Sequence, residues 1–217
     1  MDNNLNNFWE TEEGDNWYKR NKEVINDYCL IDDITISNIK KYNINKENIL
    51  EIGCSNGSRL NKLKTEFKGS NCYGIDVSEK AIQNGKSSYR NLHLEKLCAS
   101  KIGKFKDNFF DIIIFGHCLM VIEPDLFQNI INEIHKILKK NGNIFIIDWY
   151  SKNHEMNIKW KHNPNYHCNK FDYSSFFTIF PNYVLINRTF LNHDDKNKKY
   201  EFNNLKEVMT IDIIRKF

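Results

Sequence analysis

The chain has 217 residues, which at roughly 150 residues per domain is one principal domain with an elaboration. Lysine and arginine number 31 against 28 acidic residues, and a net charge of +3 is too small to demand nucleic acid or an anionic membrane as partner. Hydrophobic residues at 41% and aromatics at 13% exclude a disordered chain, and no stretch approaches the ~20 apolar residues of a bilayer span.

Residues Met1 to Arg20 lack the basic head and apolar stretch of a secretory signal, so a cytoplasmic location is expected. Cysteines at 29, 54, 72, 98, 118 and 168 form no C-x-x-C pair, and several lie in or beside apolar segments. Reduced thiols and no structural zinc are expected. Two polar segments with embedded aromatics open the chain, Asn7 to Arg20 and Asn21 to Tyr42. The second has Val24, Ile25, Tyr28 and Ile31 at helical spacing.

Asn48 to Gly53 reads as an apolar strand ending in glycine, followed by a helix carrying Leu60, Leu63 and Phe67. Cys72 to Asp76 is a second strand, and Ser78 caps a helix running to about Lys86. A weak strand at Leu92 to Leu94 and a strongly apolar one at Asp111 to Phe115 come next. A helix is expected from Asp125 to Lys140, with Pro124 in its first turn and Gly142 past its end. Its stripe is Phe127, Ile130, Ile131, Ile134, Ile137 and Leu138, and a strand at Asn143 to Asp148 follows. The segments Tyr183 to Phe190 and Val208 to Ile214, around a polar loop at Asn192 to Lys199, read as a hairpin. The alternation predicts an α/β fold with a mostly parallel sheet and helices on both faces.

Only nine glycines occur, fewer than the roughly 15 that ordinary usage implies. Gly53 and Gly57 bracket the first strand-to-helix turn, Glu51-Ile52-Gly53-Cys54-Ser55-Asn56-Gly57. Missing side chains let the backbone approach a ligand there, and the helix behind offers unpaired N–H groups, so the turn is an anion or polar-ligand cradle. A dinucleotide fingerprint would place glycines where Ser55 and Ser58 stand, which argues against a pyrophosphate. Asp76 ends the second strand 19 residues after Gly57, where a carboxylate can accept from both ribose hydroxyls. A nucleoside-bearing ligand is indicated. The alternative is that Glu51 and Asp76 merely cap helices and Gly53 only turns the chain.

These residues, with Gly74-Ile75-Asp76 and Asn108-Phe109-Phe110-Asp111 before an apolar strand, resemble the class I S-adenosylmethionine-dependent methyltransferases over roughly residues 47–150. The resemblance implies a Rossmann-like seven-stranded sheet, mostly parallel, with a C-terminal antiparallel hairpin, and S-adenosylmethionine as cofactor. It implies the turn Glu51, Gly53, Cys54, Asn56 and Gly57 against the methionine part, Asp76 and Val77 at the ribose, and Ala99 and Ser100 beside the adenine. Many family members carry near position 99 an acid that accepts from the adenine amine. Ala99 cannot, leaving the main chain or Ser100. A narrower resemblance, to the methylases associated with pseudaminic acid biosynthesis, rests on Phe8-Trp9, Gly14 to Asn21, Cys118 to Asp125, Asp148-Trp149-Tyr150, Lys170 to Tyr173 and Phe190 to His193. That family has histidine where Val121 stands and tyrosine where Trp17 stands.

Methyl transfer is an in-line displacement that requires alignment, exclusion of water and, for some acceptors, a base. His117, after the fourth strand, has the chemistry of a general base, or it simply closes the strand. Asp148 and Tyr150 end the fifth strand, placed either to orient an acceptor or to pack. Arg20 is expected to meet the cofactor carboxylate, with Trp17 and Tyr18 shielding the sulfonium, so that residues 1–42 form a helical lid over a domain of residues 43–217. A surface helix is the alternative. The polar insertion near 151–170 is expected to cover the acceptor site. Lys159, Lys161 and His162 beside Trp160 suit a phosphorylated or nucleotide-linked acceptor, and a solvated loop is the alternative. His162, His167 and Cys168 lack a second ligand pair, so no metal is expected. The expected reaction is methylation of a small polar acceptor, a sugar or nucleotide-sugar hydroxyl or amine, with no nucleic acid or membrane partner. The rivals are a protein or peptide methyltransferase and a non-catalytic S-adenosylmethionine-binding protein.

Overall fold

The computed structural model describes residues 8–25, 30–164, 166–192 and 208–217; Tyr28, Cys29, Asn165 and the loop beyond Asn192 lie outside them. A π-helical turn at Trp9–Glu13 runs into α1 (Gly14–Asn21), and α2 (Leu30–Lys41) follows. Then comes the alternation: β1 (Asn48–Ile52), α3 (Ser58–Glu66), β2 (Asn71–Asp76), α4 (Glu79–Ser88), β3 (His93–Lys96) and β4 (Phe110–Gly116). Strands β1 and β4 are near-continuous apolar runs, buried on both faces, as a central parallel sheet requires. Ser78 caps α4 as expected, its hydroxyl accepting from the Ala81 N–H.

α5 (Phe127–Ile137) buries Phe127, Ile130, Ile131, Ile134 and Ile137 along one stripe. It stops at Ile137 and not at Lys140. Leu138 is already paired opposite Phe110, and its full burial there outweighs another helical turn. β5 (Leu138–Trp149) therefore starts five residues earlier than the expected strand. The insertion near 151–170 has secondary structure of its own. It holds an antiparallel hairpin, β6 (Glu155–Lys159) and β7 (His167–Lys170), strands that the sequence reading did not identify. Both strands are short, and a register shift between Glu155 and Ile158 breaks the alternation that would have marked them. After α6 (Ser175–Thr178), β8 (Tyr183–Asn192) and β9 (Val208–Lys216) form the expected hairpin.

The sheet order is β3-β2-β1-β4-β5-β9-β8, with β9 alone antiparallel to its neighbours on both sides. One face is packed by α5 and the aromatic segment Phe171, Tyr173 and Phe177. The other is packed by residues of α2, α3 and α4, including Ile39, Leu60, Leu63 and Ile82. Among the described residues no helix is long and apolar enough to cross a membrane.

Candidate cofactor and acceptor site

The strand order reverses between β1 and β4, so the loops after them diverge and leave a crevice at their carboxyl ends. Gly53 lies there with φ +74°, and a Cβ on it would stand 2.7 Å from Cys118 Cβ and 3.1 Å from Gly116 O. Only glycine lets the two loops meet.

The donors of this turn are used within it. Gly53 and Cys54 N–H both donate to Ile75 O (2.9 and 3.1 Å), and Gly57 N–H to Cys54 O (2.9 Å). Ser55 N–H donates to Asp76 Oδ2 (2.7 Å), and Ser58 N–H to Asn56 Oδ1 (3.2 Å). What stays unpaired is oxygen: Glu51 Oε2 and Ser55 Oγ are buried without a hydrogen-bond partner. The Ser55 hydroxyl can donate or accept, whereas the unpaired oxygen of an ionised Glu51 accepts only, which favours a ligand that donates hydrogen bonds or carries positive charge there and disfavours a pyrophosphate. The ammonium of S-adenosylmethionine fits the open Glu51 oxygen.

Electrostatics point the same way. Burial pushes Glu51 up to about 7, against the pull of the Arg59 guanidinium that pairs with its Oε1. Arg59 is shared with Asp32 of α2 (Nε to Oδ1, 2.8 Å), which Lys62 also contacts (2.8 Å). Burial likewise raises Asp76, although Ser78 and Ser55 N–H donate to its two oxygens. A cation entering between Glu51 and Asp76 would favour both ionised forms. Asn56, buried, is turned away to the start of α3 and to Asn84 (3.2 Å).

Beyond Asp76 a cavity of about 140 Å³ is lined by Glu10, Val77, Lys96, Leu97, Cys98 and Lys101. The structure brings Val77 to it, and neither Ala99 nor Ser100 lines it. Ala99 packs into the core, and the Ser100 hydroxyl donates to Cys98 Sγ (3.3 Å). The carboxylate at this cavity comes instead from Glu10.

The N-terminal segment lies across the loop that follows β2. Gly14 packs so closely that a Cβ would stand 2.9 Å from Val77 Cγ2, and Asp15 Oδ1 accepts from Ser78 Oγ (2.7 Å) and Lys80 N–H (3.1 Å). Tyr18 is buried and meets Asn56, while Trp17 is half-buried. Arg20 pairs with Glu13, a buried partner one residue before the start of the same short helix. Glu13 also accepts from the Trp160 indole N–H (3.1 Å), Phe8 stacks on Tyr166 (centroids 3.5 Å apart), and Trp9 packs edge-on to Trp160.

His117 lies half-exposed at the mouth of the crevice with φ +56°, its N–H donating to Ile147 O (2.8 Å). Asp148 is a correction to the expectation of acceptor contact. It is 0% exposed and accepts from Leu119 and Trp149 N–H, both at 2.8 Å, so it shapes the turn after β4. Burial pushes its acid up to about 7 despite those donors. Tyr150 is half-buried, with the Arg188 guanidinium 4.7 Å from its ring centre and Phe190 edge-on. Arg188 in turn bridges Asp172 and Asp212. Among the described residues no three His, Cys, Asp or Glu side chains converge as metal ligands.

Sequence reasoning missed Glu10, Glu13, Ser55 and Arg59. The acidic and aromatic run Trp9-Glu10-Thr11-Glu12-Glu13 is a weak signal, but nothing local ties it to Trp160, 147 positions away.

A family model described as a methyltransferase domain matches residues 44–207. The tRNA N(3)-methylcytidine methyltransferase of Schizosaccharomyces pombe is 28% identical over 120 residues, which are 50% of this chain and 38% of that one. An uncharacterized protein of Methanocaldococcus jannaschii is 29% identical over 141 residues, 64% of this chain and 56% of that one. These matches span only part of the length of both curated relatives. The fold is shared with the Burkholderia thailandensis 1,6-didemethyltoxoflavin-N1-methyltransferase, solved with 1,6-didemethyltoxoflavin and S-adenosylhomocysteine. There the TM-score is 0.67 at 12% identity, covering 92% of this chain and 83% of that one. With the family match covering β1 to β8 and both loops of the crevice, the chain belongs to the methyltransferase domain family.

Proposed function

We propose that the protein transfers the methyl group of S-adenosylmethionine to a small polar acceptor, a sugar or nucleotide-linked sugar bearing a hydroxyl or amine. The observation that carries the size of the acceptor is the meeting of the N-terminal segment with the β6–β7 hairpin, through Phe8 on Tyr166 and Trp9 on Trp160. A crevice roofed from both sides admits a small molecule and excludes a folded macromolecule. Trp160 and Tyr166 offer aromatic faces, exposed Lys159 and Lys161 offer positive charge, and His162 offers a ring hydrogen-bonding group, a combination suited to a sugar ring carrying phosphate. This agrees with the narrower resemblance to pseudaminic acid-associated methylases.

When bound, the cofactor supplies an electrophilic methyl group on a sulfonium. In this reading Glu51 takes the ammonium, Gly53 lets the backbone approach, and Asp76 accepts from the ribose. Val77 and Leu97 wall the adenine, and Glu10 supplies the acceptor that Ala99 lacks. Residues 8–21 act as a lid, with Trp17 and Tyr18 over the crevice. Asp148 holds the turn that carries His117, and His117 takes the acceptor proton where one must leave. Tyr150 lines the acceptor side.

The test is incubation with labelled S-adenosylmethionine and a panel of sugars, nucleotide sugars, amines, peptides and tRNA, read by mass spectrometry. Methylation of a sugar or nucleotide sugar is the expected result. Transfer only to tRNA or peptide rejects the acceptor class, and binding without transfer to any member rejects catalysis on these acceptors.

A further inference from the structure

Glu13 is 3% exposed although it belongs to a short polar turn. Its carboxylate is shared between Arg20 of α1 and the indole N–H of Trp160 from the hairpin segment, 3.1 Å away. Charge-assisted bonds of this kind are stronger than neutral ones. Three residues earlier, Glu10 faces the cavity beside Val77 and Cys98; one and two residues later, Gly14 and Asp15 clamp the Val77-Ser78 loop. The segment has no slack between these points, because a Cβ on Gly14 would stand 2.8 Å from Trp9 O and 2.9 Å from Val77.

We infer that residues 8–15 form a strap coupling occupancy of the Glu10–Val77 cavity to the position of the β6–β7 hairpin, with Glu13 and Trp160 as the positioning residues that carry the coupling. Filling the cavity braces Glu10 and the turn behind it. The braced turn presents Glu13 to Trp160, and the hairpin is held over the acceptor side. By linkage the two occupants raise each other's affinity. The inference rests on the reading that the cavity takes the adenosyl part of the cofactor.

Calorimetric titration of the intact protein with S-adenosylhomocysteine comes first; no binding rejects the cofactor reading and the coupling with it. Amide hydrogen exchange over residues 155–170 then tests the coupling alone. The expected result is exchange slowed about five-fold or more by S-adenosylhomocysteine in the wild type, and less than about two-fold in Trp160→Phe, whose affinity stays within about three-fold of wild type. Glu13→Ala, which leaves the aromatic contacts in place, is expected to lose the slowing in the same way. Binding without slowing in the wild type, or equal slowing in both variants, overturns the coupling and leaves the cofactor reading standing.

Discussion

Asp76 binds the Ser55 and Ser78 amides at 2.7 and 2.8 Å, which fixes its carboxylate at the end of β2 before any ligand arrives. Asp76→Ala is expected to weaken S-adenosylhomocysteine binding by about 1–3 kcal/mol, the worth of a buried polar partner, measured by calorimetry. Unchanged affinity would move the ribose elsewhere. Glu10 pairs with Lys101 at 3.3 Å near solvent, an ion pair that contributes little to stability, and meets the Cys98 thiol. Glu10→Ala should therefore leave the fold intact and lower affinity for S-adenosylhomocysteine roughly 10- to 150-fold, the range of a lost charged hydrogen bond. An analogue lacking the 6-amino group should bind both proteins alike, and equal weakening for both ligands would show that Glu10 does not read the amine.

Helix α4 reaches the cradle through its one glycine. A Cβ on Gly85 would lie 2.3 Å from Asn56 O and 2.5 Å from Leu94 Cδ1, so helix and turn pack backbone to backbone. In an exposed helix, Gly→Ala gains about 1 kcal/mol of propensity. Here the clash is with backbone that cannot swing aside, and packing wins. Gly85→Ala is expected to lower the melting temperature and to weaken cofactor binding, because the displaced atoms belong to the Gly53–Gly57 turn. A melting temperature at or above wild type would show that the turn yields without cost. The end of α5 illustrates the same competition: helical periodicity extends through Leu138, but pairing with Phe110 takes that residue into the sheet.

Two core clusters, one on each sheet face, leave buried acids at the carboxyl edge of the sheet, and those acids make stability of the whole molecule depend on pH. Burial lifts Asp148 from its ordinary 3.8 to about 7. The folded chain then holds this proton more firmly than the unfolded chain. The stability it confers is fully present below pH 3.8, declines as the unfolded carboxyl ionises, and levels off above about 7. Asp148→Asn removes the titration but turns an amide toward the Leu119 and Trp149 N–H donors. The variant should be less stable at pH 4.5 by roughly 1–3 kcal/mol, with the gap narrowing by pH 7.5, read from urea midpoints. A gap that widens with pH would mean that the backbone donors outweigh burial.

Central strands, the glycine-bounded turn, the Ser78 cap and Asp76 are legible from residue order alone. Their signals are local: an apolar run, a missing side chain, a carboxylate a fixed distance past a strand. Other features depend on partners far along the chain. Arg20 finds Glu13, Asp148 closes over the turn at Leu119, and Leu138 leaves its helix for Phe110. The hairpin at 155–170 and the meeting of Glu13 with Trp160 belong to the same class. Each follows from burial of a group against a surface assembled only when the sheet forms. That free energy has no counterpart in the periodicity of either partner, so folding in three dimensions had to settle it.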